Sequence, residues 1–93
     1  MSNADAFRAR YDVALRTYLA ARDEDSLAVG HELGRIALQD RISTLDIVEH
    51  HFGLVRDSGL TSAVDAAGAL EFLLQTLAPL ADGFLRRPLA RRG

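Results

Sequence analysis

STLDIVEHHFGLVRDSG, residues 43–59, contains a helix signal complete from start to stop. Ser43 stands three residues before Asp46, a capping box with Asp in place of Glu, and Ile42 before it can act as the flanking hydrophobic staple. Ile47, Val48, His51, Phe52, Leu54 and Val55 follow at three- and four-residue spacing, the period of one helical face. Asp57-Ser58-Gly59 closes the segment, with Gly59 suited to the left-handed position that ends a helix.

The same grammar extends outward in both directions. Thr61-Ser62 opens another helix with Asp65 close behind, and Val64, Ala67, Leu70, Leu73, Leu74, Leu77 and Leu80 form a broad apolar stripe with Phe72 and Phe84 off its centre. Pro79 has no backbone N–H to donate, so a kink or break is expected there. Upstream, Asp23-Glu24-Asp25-Ser26 is a helix start, and Leu27, Gly30, Leu33, Gly34, Ala37 and Leu38 supply the stripe behind it. Gly30 and Gly34 each cost about 1 kcal/mol of helix propensity relative to Ala. Their spacing sets both on one face, open to close approach by another helix or simply tolerated. The first helix spans about Asn3 to Arg22, with Asn3 as N-cap, Asp5 in the first turn where a carboxylate complements the dipole, and Phe7, Tyr11, Ala14 or Leu15, Tyr18 and Leu19 on the inner face. Abundant Ala, few β-branched residues and two prolines favour helix over strand. The fold class expected is all-α, a four-helix bundle, over residues 3–86; residues 87–93 form a basic linker or tail.

Ninety-three residues make one domain, and a core this small is marginal without disulfides, metal or oligomerisation. The absence of cysteine excludes disulfides and thiolate metal sites and fits a reducing cytoplasm. No uninterrupted apolar run of about 18 residues suggests a membrane span, and the N-terminus lacks a secretory core. Charge is uneven: residues 1–83 carry seven Arg against thirteen Asp and Glu, net −6, whereas residues 84–93 carry four Arg and no acid, net +4. An acidic body argues against nucleic acid, and four arginines without interleaved aromatics read better as a solvated linker than as a membrane or nucleic-acid contact.

Chemistry has little to stand on. His50 and His51 point about 100° apart on a helix and do not chelate one metal easily; His31 lies on another helix. His51, four residues from both Ile47 and Val55, reads as a partly buried, hydrogen-bonded histidine. The run Asp23–Asp25 lacks the alternating ligands and distal Glu of a calcium loop. No phosphate-cradling loop, nucleophile elbow or cysteine nucleophile occurs. No catalytic residue, metal site or cofactor is assigned, and the domain is expected not to be an enzyme.

Three stretches together resemble a known family: Tyr18 to Ala28 continuing to Gly34-Arg35, Leu45 to His51, and Ala69 to Pro79. Their order, spacing and loop lengths are similar to the N-terminal domain of RsbU-type serine phosphatases, over about residues 7–86. The resemblance implies a KaiA/RsbU-like four-helix protomer that pairs as a homodimer and stands before a PPM-type phosphatase. It also implies a partner, an RsbT-like switch kinase whose binding controls sigma-factor partner switching in the stress response. The partner surface it implies, carried over by position, is Glu24 and Ala28 on the second helix and Leu74 and Ala78 on the last. Ala28 departs from the larger side chain expected there, and Ser43-Thr44 replaces a Pro-Pro turn by capping. From the residues alone, Leu74 fits either core or contact site, since it lies on the edge of a stripe broad for one small protomer to bury. Two other readings stay open: a small-molecule or signal-sensing helical domain, with His51 and Tyr18 in a pocket, and a stand-alone helical assembly protein.

Overall fold

The computed structural model describes the backbone of residues 2–59 and 62–92, and side chains within that range as far as Asp82. Four helices follow one another: α1 (Asn3–Ala21), α2 (Glu24–Gln39), α3 (Thr44–Ser58) and α4 (Ala63–Arg92). The boundary expected at residues 86 and 87, the arginines of the tail and Phe84 fall among side chains outside the described ones.

Local chemistry accounts for nearly every helix end. The Asp23 carboxylate accepts from the Ser26 N–H at 2.8 Å and starts α2; Ser43 Oγ accepts from the Asp46 N–H at 3.1 Å and starts α3. Ile42 and Ile47, the two arms of the staple, are both buried in the core. Ser62 Oγ accepts from the N–H groups of Val64 and Asp65. The cap of α1 is Ser2, one residue before the expected Asn3, its Oγ accepting from Asp5 N–H at 3.1 Å. Gly59 closes α3 at φ +68°.

Two helices end without glycine. Arg41 sits at φ +60°, and the N–H of Ile42 reaches the carbonyl of Ala37 at 2.8 Å while that of Arg41 reaches Leu38 at 3.3 Å. This is a Schellman closure with Arg in the left-handed place. Arg22, at φ +54°, ends α1, and its side chain then ties the turn to α4. The guanidinium lies 5.4 Å from the Tyr18 ring centroid, donates to the Val64 carbonyl at 3.1 Å and passes 3.7 Å from Glu71 Oε1. It occupies the space a side chain at Gly68 would need.

The core joins Phe7, Tyr11, Leu15 and Tyr18 of α1 to Leu33 and Ala37 of α2, Ile47 of α3, and Ala69, Phe72, Leu73 and Leu80 of α4. Phe72 stands at its centre, with ring centroids 5.3 Å from Tyr11 and 5.9 Å from Tyr18. The face of α4 turned inward therefore differs from the one expected. Phe72 and Thr76 are fully buried, whereas Val64, Leu70 and Leu74 are exposed. The glycine pair explains the rotation. A Cβ on Gly30 would stand 3.0 Å from the Phe72 ring, and one on Gly34 would stand 2.0 Å from the Thr76 carbonyl oxygen. α2 and α4 thus meet backbone to backbone, in parallel, with residue 30 opposite 72 and 34 opposite 76.

Of the kink or break expected at Pro79, no break occurs; α4 runs through it to Arg92. Pro79 is itself buried, with Cδ against Gly34, and the buried Thr76 and Leu80 hold the helix to the bundle on either side of it. Residues Ala63–Asp82 are long and apolar enough, at mean hydropathy 1.2, to pass as a weak membrane-span candidate, but one face of this segment is the bundle core.

Candidate partner surface

The outer face of α4 is built from Ala63, Ala67, Leu70, Leu74 and Ala78, spaced 4, 3, 4 and 4 residues apart and all exposed. That spacing lays them in one row along the helix. Leu74 is 57% and Leu70 48% exposed, which settles Leu74 as surface rather than core. The charged residues between 62 and 82 are Asp65, Glu71 and Asp82, all acidic. Glu71 accepts from the Tyr18 hydroxyl at 3.2 Å and faces Arg22.

Glu24 and Ala28 are also exposed. Glu24 follows Asp23, whose carboxyl is held below its ordinary pKa by the Ser26 hydroxyl and N–H. At 100° per residue, Ala28 lies about 200° round from Gly30, and Leu74 about 200° round from Phe72. Since Gly30 and Phe72 face each other, Ala28 looks away from α4 and Leu74 away from α2. The register adds an offset: Ala28 is level with Leu70, and Leu74 with Glu32. Leu74 and Ala78 thus share one face, and Glu24 and Ala28 another. Leu70, counted with the buried stripe in the sequence, belongs to the exposed row; its signal was the same three- and four-residue spacing that links it to Leu74.

The histidines do different work. Tyr11 Oη and His51 Nδ1 are 2.7 Å apart and buried, the hydroxyl donating when the ring proton is on Nε2. Burial lowers the His51 pKa to about 4, with His50 adding to the effect, and burial raises that of Tyr11, with Asp12 adding. His50 Nε2 lies 2.6 Å from Asp12 Oδ1, an ion pair only when the ring is protonated. His31 is exposed on α2. Among the described residues no three His, Asp or Glu side chains converge as a metal site.

A second apolar feature, an open groove of about 710 Å³, runs between α1 and α2 and is lined by Ala9, Arg10, Val13, Ala14, Thr17, Asp25, Ser26, Val29 and Leu33. His51 and Tyr18, the pocket candidates of the sensing alternative, do not line it; both are held in the core.

The family model for the N-terminal domain of phosphoserine phosphatase RsbU matches residues 9–81. The chain belongs to this family. The match takes in α2, α3 and most of α1, and α4 through the row that ends at Ala78. Neither a curated protein nor a solved structure matches the chain. The RsbU N-terminal domain assignment agrees with the all-α four-helix architecture and with a regulatory rather than a catalytic place in an RsbU-type phosphatase.

Proposed function

We propose that this RsbU N-terminal domain is the non-catalytic input module of a PPM-type serine phosphatase, acting in the cytoplasm as a dimer. It receives an RsbT-like switch kinase on the outer face of α4 and so controls sigma-factor partner switching in the stress response. It needs no cofactor, and residues 87–93 act as the basic linker to what it regulates. The observation that carries this reading is the uncharged row Ala63, Ala67, Leu70, Leu74 and Ala78. A helix of a small domain that exposes two leucines in line, rimmed by Asp65, Glu71 and the Arg22 guanidinium that faces Glu71, has the composition of a contact site. Glu24 and Ala28 form a second contact on the far side of α2, reached by a partner that wraps the α2–α4 pair or spans two copies.

The test is binding of an RsbT-type kinase to the domain by calorimetry. Leu74→Asp is expected to weaken binding at least tenfold, about 1.4 kcal/mol or more, while helicity and the unfolding midpoint stay unchanged because the side chain is exposed. Glu24→Ala is expected to weaken it less. Unaltered kinase affinity in Leu74→Asp would remove α4 from the surface.

A further inference from the structure

We propose that Glu71 is the polar anchor of the α4 partner face: its carboxylate, held in place by Tyr18 and Arg22 from the end of α1, takes a guanidinium that the partner sets beside Leu70 and Leu74. The proposal rests on the partner-face reading above and adds to it the chemistry the partner must bring.

The first support is placement. Glu71 stands four residues after Ala67 and three before Leu74, and so borders the exposed row. Two groups beneath it fix the carboxylate. Tyr18 is only 4% exposed, with its ring centroid 5.9 Å from that of Phe72, yet its hydroxyl reaches outward and donates to Glu71 Oε2 at 3.2 Å. The Arg22 guanidinium, itself held by the Val64 carbonyl and the Tyr18 ring, stands 3.7 Å from Glu71 Oε1. Gly68 makes room for it, since a Cβ there would lie 2.7 Å from Arg22 Nη1. A side chain already fixed in this way has less freedom to lose when a partner binds, so its charge counts for more than that of a loose one.

The second support is that the carboxylate is oriented without being used up. At 3.7 Å the Arg22 contact is an ion pair and not a hydrogen bond, so the Tyr18 bond fills one of about four acceptor positions. The Glu71 side chain remains 54% exposed. A guanidinium of the partner can therefore donate to both oxygens at once, the geometry in which arginine outdoes lysine. The sign of the partner group follows from the surroundings. With Gly30 opposite Phe72, Glu24 at the start of α2 is level with Ala66. Across residues 22–25 and 62–71 five acids, Asp23, Glu24, Asp25, Asp65 and Glu71, stand against one base, Arg22. The field at this end of the face attracts a cation and repels an acid. An ion pair as exposed as that of Arg22 and Glu71 adds little to stability, so its fixed geometry serves presentation more than folding.

The whole chain serves for the test, by calorimetry with an RsbT-type kinase over a series of salt concentrations and circular dichroism of each variant alongside. Glu71→Gln keeps an acceptor for the Tyr18 hydroxyl and removes only the charge. It is expected to weaken binding about tenfold and to make the affinity less dependent on salt than in wild type, with helicity unchanged. Tyr18→Phe keeps the charge and releases it from its support. It is expected to weaken binding roughly threefold with the wild-type salt dependence retained, a split that a bond serving the fold alone would not give. Wild-type affinity and salt dependence in Glu71→Gln, where Leu74→Asp does weaken binding, would overturn the anchor and leave the α4 face standing. Tighter binding by Glu71→Gln would place an acid of the partner on Arg22 and overturn the proposal equally. Affinity unaltered in both Leu74→Asp and Glu71→Gln would remove the face itself, and the anchor with it.

Discussion

Two seams hold this bundle together by opposite means. Between α2 and α4 the contact is steric: Gly30 lies on the Phe72 ring and Gly34 on the Thr76 backbone, with no titratable group between them. Between α1 and α3 it is polar, with Tyr11 bonded to His51 and Asp12 to His50, and α3 buries only Ile47 and His51 fully. The first seam tolerates changes of pH but no added atom. The second depends on a neutral imidazole. The element that carries the candidate partner face is thus fixed to α2 by the rigid seam, and the acid-sensitive one lies on the other side of the core.

The largest test strikes the steric seam. A Cβ at Gly34 would meet the Thr76 carbonyl oxygen and carbon at 2.0 and 2.9 Å, and neither can rotate away as a side-chain tip could. Gly34→Ala should destabilise by about 3 kcal/mol or more in urea unfolding, the upper end of overpacking. Gly53→Ala is its control: inside α3, a Cβ there would meet only the far end of Arg56 at 3.9 Å, so a gain of about 0.5–1 kcal/mol in helix propensity is expected. Equal effects at the two glycines would erase the contrast between the seams.

Acid tests the polar seam. His51 has a folded-state pKa near 4 against an ordinary value of 6.5, so the unfolded chain takes up a proton first as pH falls. The contribution of this group is fully present above pH 6.5, is lost progressively as pH falls toward 4 and changes no further below that. From pH 7.5 to 5 the loss should be about 2 kcal/mol. Denaturant midpoints across that range should show the slope in wild type and a much flatter one in His51→Asn. The smallest loss belongs to the partly buried His50–Asp12 pair: Asp12→Ala should cost about 0.5–1 kcal/mol at neutral pH, read in the same unfolding series. A loss as large as that from Gly34→Ala would show that the polar seam, too, is rigid.

Much of this was legible in the residues. Ser43, Asp23 and Gly59 announce their helix ends, and Phe7, Tyr11, Tyr18 and Ile47 announce the core because each lies on a helix with one clear apolar face. His51 was legible as buried and hydrogen-bonded, though its partner Tyr11 is 40 residues away along the chain and no local pattern could name it. α4 was the hard case. Apolar residues occur nearly all round it, so periodicity admits more than one inner face, and the stripe through Leu70 and Leu74 was as regular as the one through Ala69, Phe72 and Thr76. The candidate site shared that ambiguity, since Leu74 and Ala78 become a surface only once the helix is rotated.

The sequence by itself determined the four helices and nearly all of their ends, because caps and turns act within about four residues of chain and need no partner. It also determined the absence of thiol chemistry and the uneven charge. Tertiary structure decided three things: which side of α4 faces the core, that α4 continues through Pro79, and that the residues implied by family resemblance divide between two faces. The reason is common to all three. The rotation of a helix that is apolar on several sides is set by what it meets, and here Gly30 and Gly34 allow a backbone approach that only Phe72 and Thr76 are placed to fill.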